Sequence, residues 1–179
     1  VLGRARALCC WMVLIVGTAS AQAPAAVGGV AAPPLRELQK TSQEWRAIFA
    51  AIPQLAAYAR DFTPLGAAAT REALRASRNR AGMAAWTFVD GPFWWLPEGG
   101  KGLWIVTGAA SGRVVIAVLE PGEKPKHLAS AVLVEPSAAL AVGYSASEPK
   151  RLLFTTCYGG AGLSGAIDVD AGGVEFSYR

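Results

Sequence analysis

Val114-Val115-Ile116-Ala117-Val118-Leu119 is apolar at every position. Successive side chains of an extended chain point to opposite faces, so a run that is apolar at both parities reads as a central strand covered on both sides. Turn signals bracket it: Gly108-Ala109-Ala110-Ser111-Gly112 on one side and Pro121-Gly122-Glu123-Lys124-Pro125 on the other. Outward from this run the same punctuation continues from Met83 to the end of the chain. Candidate strands fall at 84–89, 93–96, 103–107, 113–119, 127–134, 140–144, 151–157, 166–169 and 174–178. Asp90-Gly91-Pro92, the Pro97 to Gly102 stretch and Asp170-Ala171-Gly172-Gly173 supply further turns. None of the intervening segments is long enough for a crossover helix, so the sheet is expected to be mainly antiparallel.

Before Met83 the period changes. Thr41-Ser42-Gln43-Glu44 has the spacing of a capping box, in which the threonine hydroxyl and the glutamate carboxylate each accept from the other's backbone N–H. Trp45, Ile48, Phe49, Ile52 and Leu55 then form one apolar helical stripe, which Pro53 is expected to kink or restart. Thr63-Pro64 reads as a second helix start, continued through Thr70 to Arg80 with an inner face of alanine. Arg71, Arg75 and Arg78 form a cationic stripe along it, either a solvated face or a surface for an anionic ligand. The expected fold class is α+β, with N-terminal helices packed on one face of a mainly antiparallel, curved β-sheet of short strands.

Residues 1–21 have the form of a secretory signal peptide. Arg4 and Arg6 precede the apolar run Ala7 to Val16, and Ala19-Ser20-Ala21 offers the small side chains of a cleavage site. Residues 22–34 are an uncharged Ala/Pro/Gly tract expected to act as a linker, and 35–179 a single α+β domain, helical over 35–80 and β-rich over 83–179. A cleaved product keeps only Cys157 of the 3 cysteines, so no internal disulfide can form. It also loses Arg4 and Arg6 from 17 basic residues, leaving 15 against 13 acidic ones and a net charge of +2, too little for general nucleic-acid binding. Neither Cys9 nor Cys10 stands in the small-residue context of lipid attachment, so no stable membrane anchor is expected after cleavage. An excess of arginine over lysine with abundant Ala, Gly and Pro points to GC-rich bacterial coding, and hence to a periplasmic or secreted protein.

Four local patterns carry chemistry. Gly160-Ala161-Gly162-Leu163-Ser164-Gly165 spells G-x-G-x-x-G, but a dinucleotide fingerprint needs its last glycine to open a helix, whereas Ala166-Ile167-Asp168-Val169 alternates like a strand. No cofactor is expected. Cys157 and His127 are the only thiol and imidazole after residue 21, and together would be the pair from which a thiol hydrolase is built. Asp168, Asp170 and Glu175 share the outer face of a C-terminal hairpin. Either even register sets two carboxylates opposite each other, which implies a weak Ca²⁺ site or a solvated edge with Arg179 as counter-charge. Finally, Phe93-Trp94-Trp95 cannot all point one way in a strand, so an outward ring is available to stack on a sugar or anchor a protein.

Phe154-Thr155-Thr156-Cys157, the glycine loop and Ala166 to Asp170 resemble the closing region of invasion-associated locus B proteins, without that family's second cysteine. The order of leader, short helix and the hairpin of Arg113 to Leu119 with Leu128 to Val134 resembles periplasmic inhibitors of vertebrate lysozyme, without their cysteine-bounded inhibitory loop. The functional expectation is an exported, non-enzymatic binding or inhibitor-like accessory protein of the bacterial cell envelope. Its contact residues would be Phe93, Trp94 and Trp95, and its partner an envelope or host protein or a glycan. The alternative is a thiol hydrolase using Cys157 and His127.

Overall fold

The computed structural model describes residues 35–77, 81–133, 139–157 and 163–178; the leader, the linker, Arg78, Arg80, Arg179 and most of the glycine loop lie outside them. The fold is α+β with antiparallel sheets, as expected. All nine anticipated strands are present, at Thr87–Val89 (β3), Phe93–Trp95 (β4), Leu103–Ala110 (β5), Arg113–Glu120 (β6), Lys126–Leu133 (β7), Ala139–Tyr144 (β8), Arg151–Cys157 (β9), Ser164–Asp170 (β10) and Gly173–Tyr178 (β11). Two short strands escaped the sequence reading, Leu35–Glu37 (β1) and Thr63–Pro64 (β2).

The strands form two sheets where one was expected. The first runs β1-β4-β5-β6-β7 with β2 on β5, and the second β11-β10-β9-β8-β3. Asp90-Gly91-Pro92 is therefore not a hairpin turn: it carries the chain from β3 in one sheet to β4 in the other, with Gly91 at φ 69°. Val114, Ile116 and Val118 of β6 face a core shared by both sheets, where they meet Phe93, Trp95 and Ile105 from their own sheet and Val142, Leu152 and Phe154 from the other. Val115, Ala117 and Leu119 face the opposite way, towards Trp45, Phe49 and Phe62. This is the two-sided cover that the 114–119 run predicts.

The helices do not share one face. Ser42–Ala50 (α1), capped by the expected box with Thr41 N–H donating to Glu44 Oε2 at 2.7 Å, closes the outer side of the first sheet. It ends before Pro53, and the stripe continues through Ile52 and Leu55 into a single 3₁₀ turn at Ala56–Tyr58. The second helix, Ala67–Ala76 (α2), covers the outer side of the second sheet, where Ala73 meets Ala139, Ala141 and Cys157. Small side chains on both partners let the helix axis approach the sheet closely.

Thr63-Pro64 does not start α2. Gly66 caps that helix, and Thr63 and Pro64 pair with Ala109 and Gly108 of β5. A proline that fits the first turn of a helix fits a sheet edge equally well, because neither position uses its missing N–H. The edge wins here because Phe62 is fully buried against Phe49, which holds the chain beside β5.

Candidate functional site

Arg71, Leu74 and Arg75 lie at i, i+3 and i+4 on α2 and so share one face of it. Opposite them run Met83, Ala84 and Trp86, followed by Phe88 on β3, and between the two walls opens a cleft of about 590 Å³. Its size falls within the range of small-molecule sites. Two local features hold the far wall in place. Ser77, at the end of α2, donates its hydroxyl to Met83 Sδ at 3.4 Å in a buried contact, and the Trp86 N–H donates to the Met83 carbonyl at 3.0 Å. Phe88 stands opposite Gly143 of β8, where an added Cβ would lie 2.9 Å from the ring, so only glycine lets the phenyl lie against the strand. The walls are thus apolar and aromatic, with Arg71 and Arg75, both exposed residues, on one rim.

This arrangement was only half legible in the sequence. Arg71 and Arg75 belong to the predicted cationic stripe and Trp86 to the aromatic-rich first strands, whereas Leu74, Met83 and Phe88 carried no functional signal. The available clue was Gly143, a glycine inside the otherwise apolar run 140–144, which marks a close approach of another group.

The three-ring contact surface is corrected by the strand's own alternation. Phe93 and Trp95 are both 0% exposed in the inter-sheet core, and only Trp94 points outward. That ring sits half-buried between Arg36, whose Cζ is 5.4 Å from its centroid, and the backbone of Gly102, where any Cβ would overlap the indole.

Cys157 and His127 are not brought together. Cys157 is buried beneath α2 on the outer side of the second sheet. His127 lies on β7 of the first sheet opposite Leu119, which belongs to the α1 side, and its Nε2 is 3.0 Å from Ser130 Oγ. The inter-sheet core stands between them, at a sheet spacing of about 10 Å. Partial burial holds the His127 pKa below the usual histidine range. Because the folded chain resists protonation more than the unfolded chain, the unfolded state takes up the proton first as pH falls. Protonation of His127 therefore leaves stability unchanged above the ordinary pKa of about 6.5 and lowers it below that pH. The drop in urea midpoint between about pH 8 and about pH 5.5 should be smaller in His127→Asn than in the wild type, and an equal drop would remove His127 as its source.

The hairpin carboxylates are engaged otherwise than expected. Asp168 does face Glu175, the register of the four-residue turn. On its other side Arg151 donates through Nε to Asp168 Oδ1 at 2.6 Å and through Nη1 to Glu148 Oε2 at 2.9 Å. The hydrogen bond to Asp168 raises the Arg151 pKa further. Asp170 Oδ1 accepts from the N–H groups of Gly172 and Gly173 at 2.7 and 3.1 Å and so shapes the turn. Asp168 is thus held by an arginine clamp and Asp170 by an Asx turn, and among the described residues no three potential metal-ligating side chains converge.

No helix among the described residues is long and apolar enough to cross a membrane. Comparison with protein-family models, with curated proteins and with solved structures finds no significant match to this chain.

Proposed function

We propose that this chain is an exported, non-enzymatic binding protein of the bacterial cell envelope, and that it binds a small molecule in the α2 cleft. The observation that carries the reading is the lining itself. Leu74, Met83, Trp86 and Phe88 offer contact area and Arg71 and Arg75 offer charge, a combination suited to holding a ligand rather than to making or breaking a bond. In this reading the helical stretch before Met83 covers a β-rich frame, and the inhibitor-like role becomes one of capture.

The cleft is tested with a neutral apolar probe, N-phenyl-1-naphthylamine, whose fluorescence rises on leaving water. The wild type should bind it saturably. Ala84→Trp, which fills the cleft from an exposed position, should lose most of the signal while keeping the wild-type circular dichroism. Equal binding by both proteins would place the site elsewhere. Export is tested by the mass of the product recovered from the cell envelope, which should lack residues 1–21; an intact leader on that product would overturn this half of the reading.

A further inference from the structure

The geometry points to a single-chain amphiphilic monoanion as the ligand of the cleft: an acyl-type or aromatic body lying on Leu74, Met83, Trp86 and Phe88, with one carboxylate or phosphate head at Arg71 and Arg75. The inference rests on the binding role proposed above and adds the chemistry of the ligand. A purely apolar molecule would satisfy the far wall and offer nothing to the Arg71 charge. A small inorganic anion would satisfy the rim and leave the aromatic wall wet. Only a molecule with both parts complements both walls. Arg71 and Arg75 sit one helical turn apart on the rim, so two positive charges border the same opening, and the planar fork of Arg71 suits a carboxylate or a phosphate. Arg71 is exposed, so a head group reaches it from solvent while the tail displaces water from the apolar wall. A length of chain bound this way keeps its charge in water and buries its body, as amphipathic side chains do.

The same ligand chemistry also exists in the surface of an anionic bilayer. The free molecule is the occupant, because the apolar residues line an open groove set between α2 and the segment leading into β3 rather than a protruding apolar face.

The experiment measures displacement of N-phenyl-1-naphthylamine from the full chain by three probes of equal tail length: decanoate, decanol and decyltrimethylammonium. Decanoate should compete at least about tenfold more strongly than the other two, and its advantage should shrink as salt is raised. Arg71→Gln should remove most of that advantage, and Arg71→Lys should restore part of it, because charge returns without the bidentate fork. All variants are checked for the wild-type circular dichroism, and decanol binding provides an internal control for an intact cleft. If all three probes compete equally, the anionic head is wrong while the binding role stands. If the neutral dye itself fails to bind, both fall. If phosphatidylglycerol vesicles displace the dye and decanoate does not, the partner is a membrane surface and the proposal is overturned.

Discussion

Gly108→Ala is expected to destabilise the protein by about 3 kcal/mol, at the upper end of the usual cost of overpacking a core. A methyl group at this position would overlap the Phe62 ring and stand 2.9 Å from the Thr63 carbonyl oxygen. The ring has little room to retreat, because it is 0% exposed and its centroid lies 4.2 Å from that of Phe49 beneath α1. The backbone cannot move aside cheaply either. Thr63 and Pro64 pair with Ala109 and Gly108, and Asp61 Oδ2 accepts from the Ser111 N–H at 2.8 Å, so the strand and the loop before it are both tied to β5. The measurement is the urea midpoint at unchanged slope. Phe62→Leu in the same chain should recover part of the loss, giving a coupling energy in the double-mutant cycle. A Gly108→Ala midpoint within about 0.5 kcal/mol of the wild type would falsify the close approach of Phe62 to β5.

Trp45→Ala is expected to cost about 3–5 kcal/mol, the range for deleting a large buried aromatic side chain. Trp45 is 0% exposed and meets Trp104 of β5 edge-on, with centroids 5.8 Å apart and planes at 88°. Lys40 Nζ lies 5.4 Å from the centroid of the Trp104 ring. Truncation would therefore open a cavity between α1 and the first sheet. Trp45→Phe separates the two parts of this side chain. It keeps a large ring and removes an indole N–H that is buried without a hydrogen-bond partner among the described residues, so its cost should be far smaller. Near-ultraviolet circular dichroism should lose the coupled tryptophan signal in both variants, which separates loss of the ring pair from loss of α1. If alanine at this position leaves the stability near that of the wild type, α1 is not a structural layer.

These two sites show where sequence reasoning reaches and where it stops. Trp45 was legible as buried, since it opens a helical stripe behind a capping box whose two halves both form. Gly108 was legible only as a turn residue. It lies instead inside β5, because the turn tightens to Ser111 and Gly112 at φ 53° and 71°, a two-residue hairpin that lets the strands run on to Ala110 and Arg113. The cleft divides the same way. Its arginines were visible as a stripe on one helix, but Trp86 and Phe88 became its far wall only when β3 paired with β8 and α2 packed on that same sheet.

What the sequence by itself determined was local: which runs extend, where α1 begins and stops, and that β6 is covered on both sides. Those follow from side-chain periodicity, capping and proline chemistry within a few residues. The tertiary structure alone decided which sheet each strand joins, that β3 and β4 part company across Asp90-Gly91-Pro92, and that α1 and α2 occupy opposite outer faces. The physical reason is that hydrophobic burial is non-directional. An apolar face specifies that it must be covered, and only the packing of distant segments selects the cover.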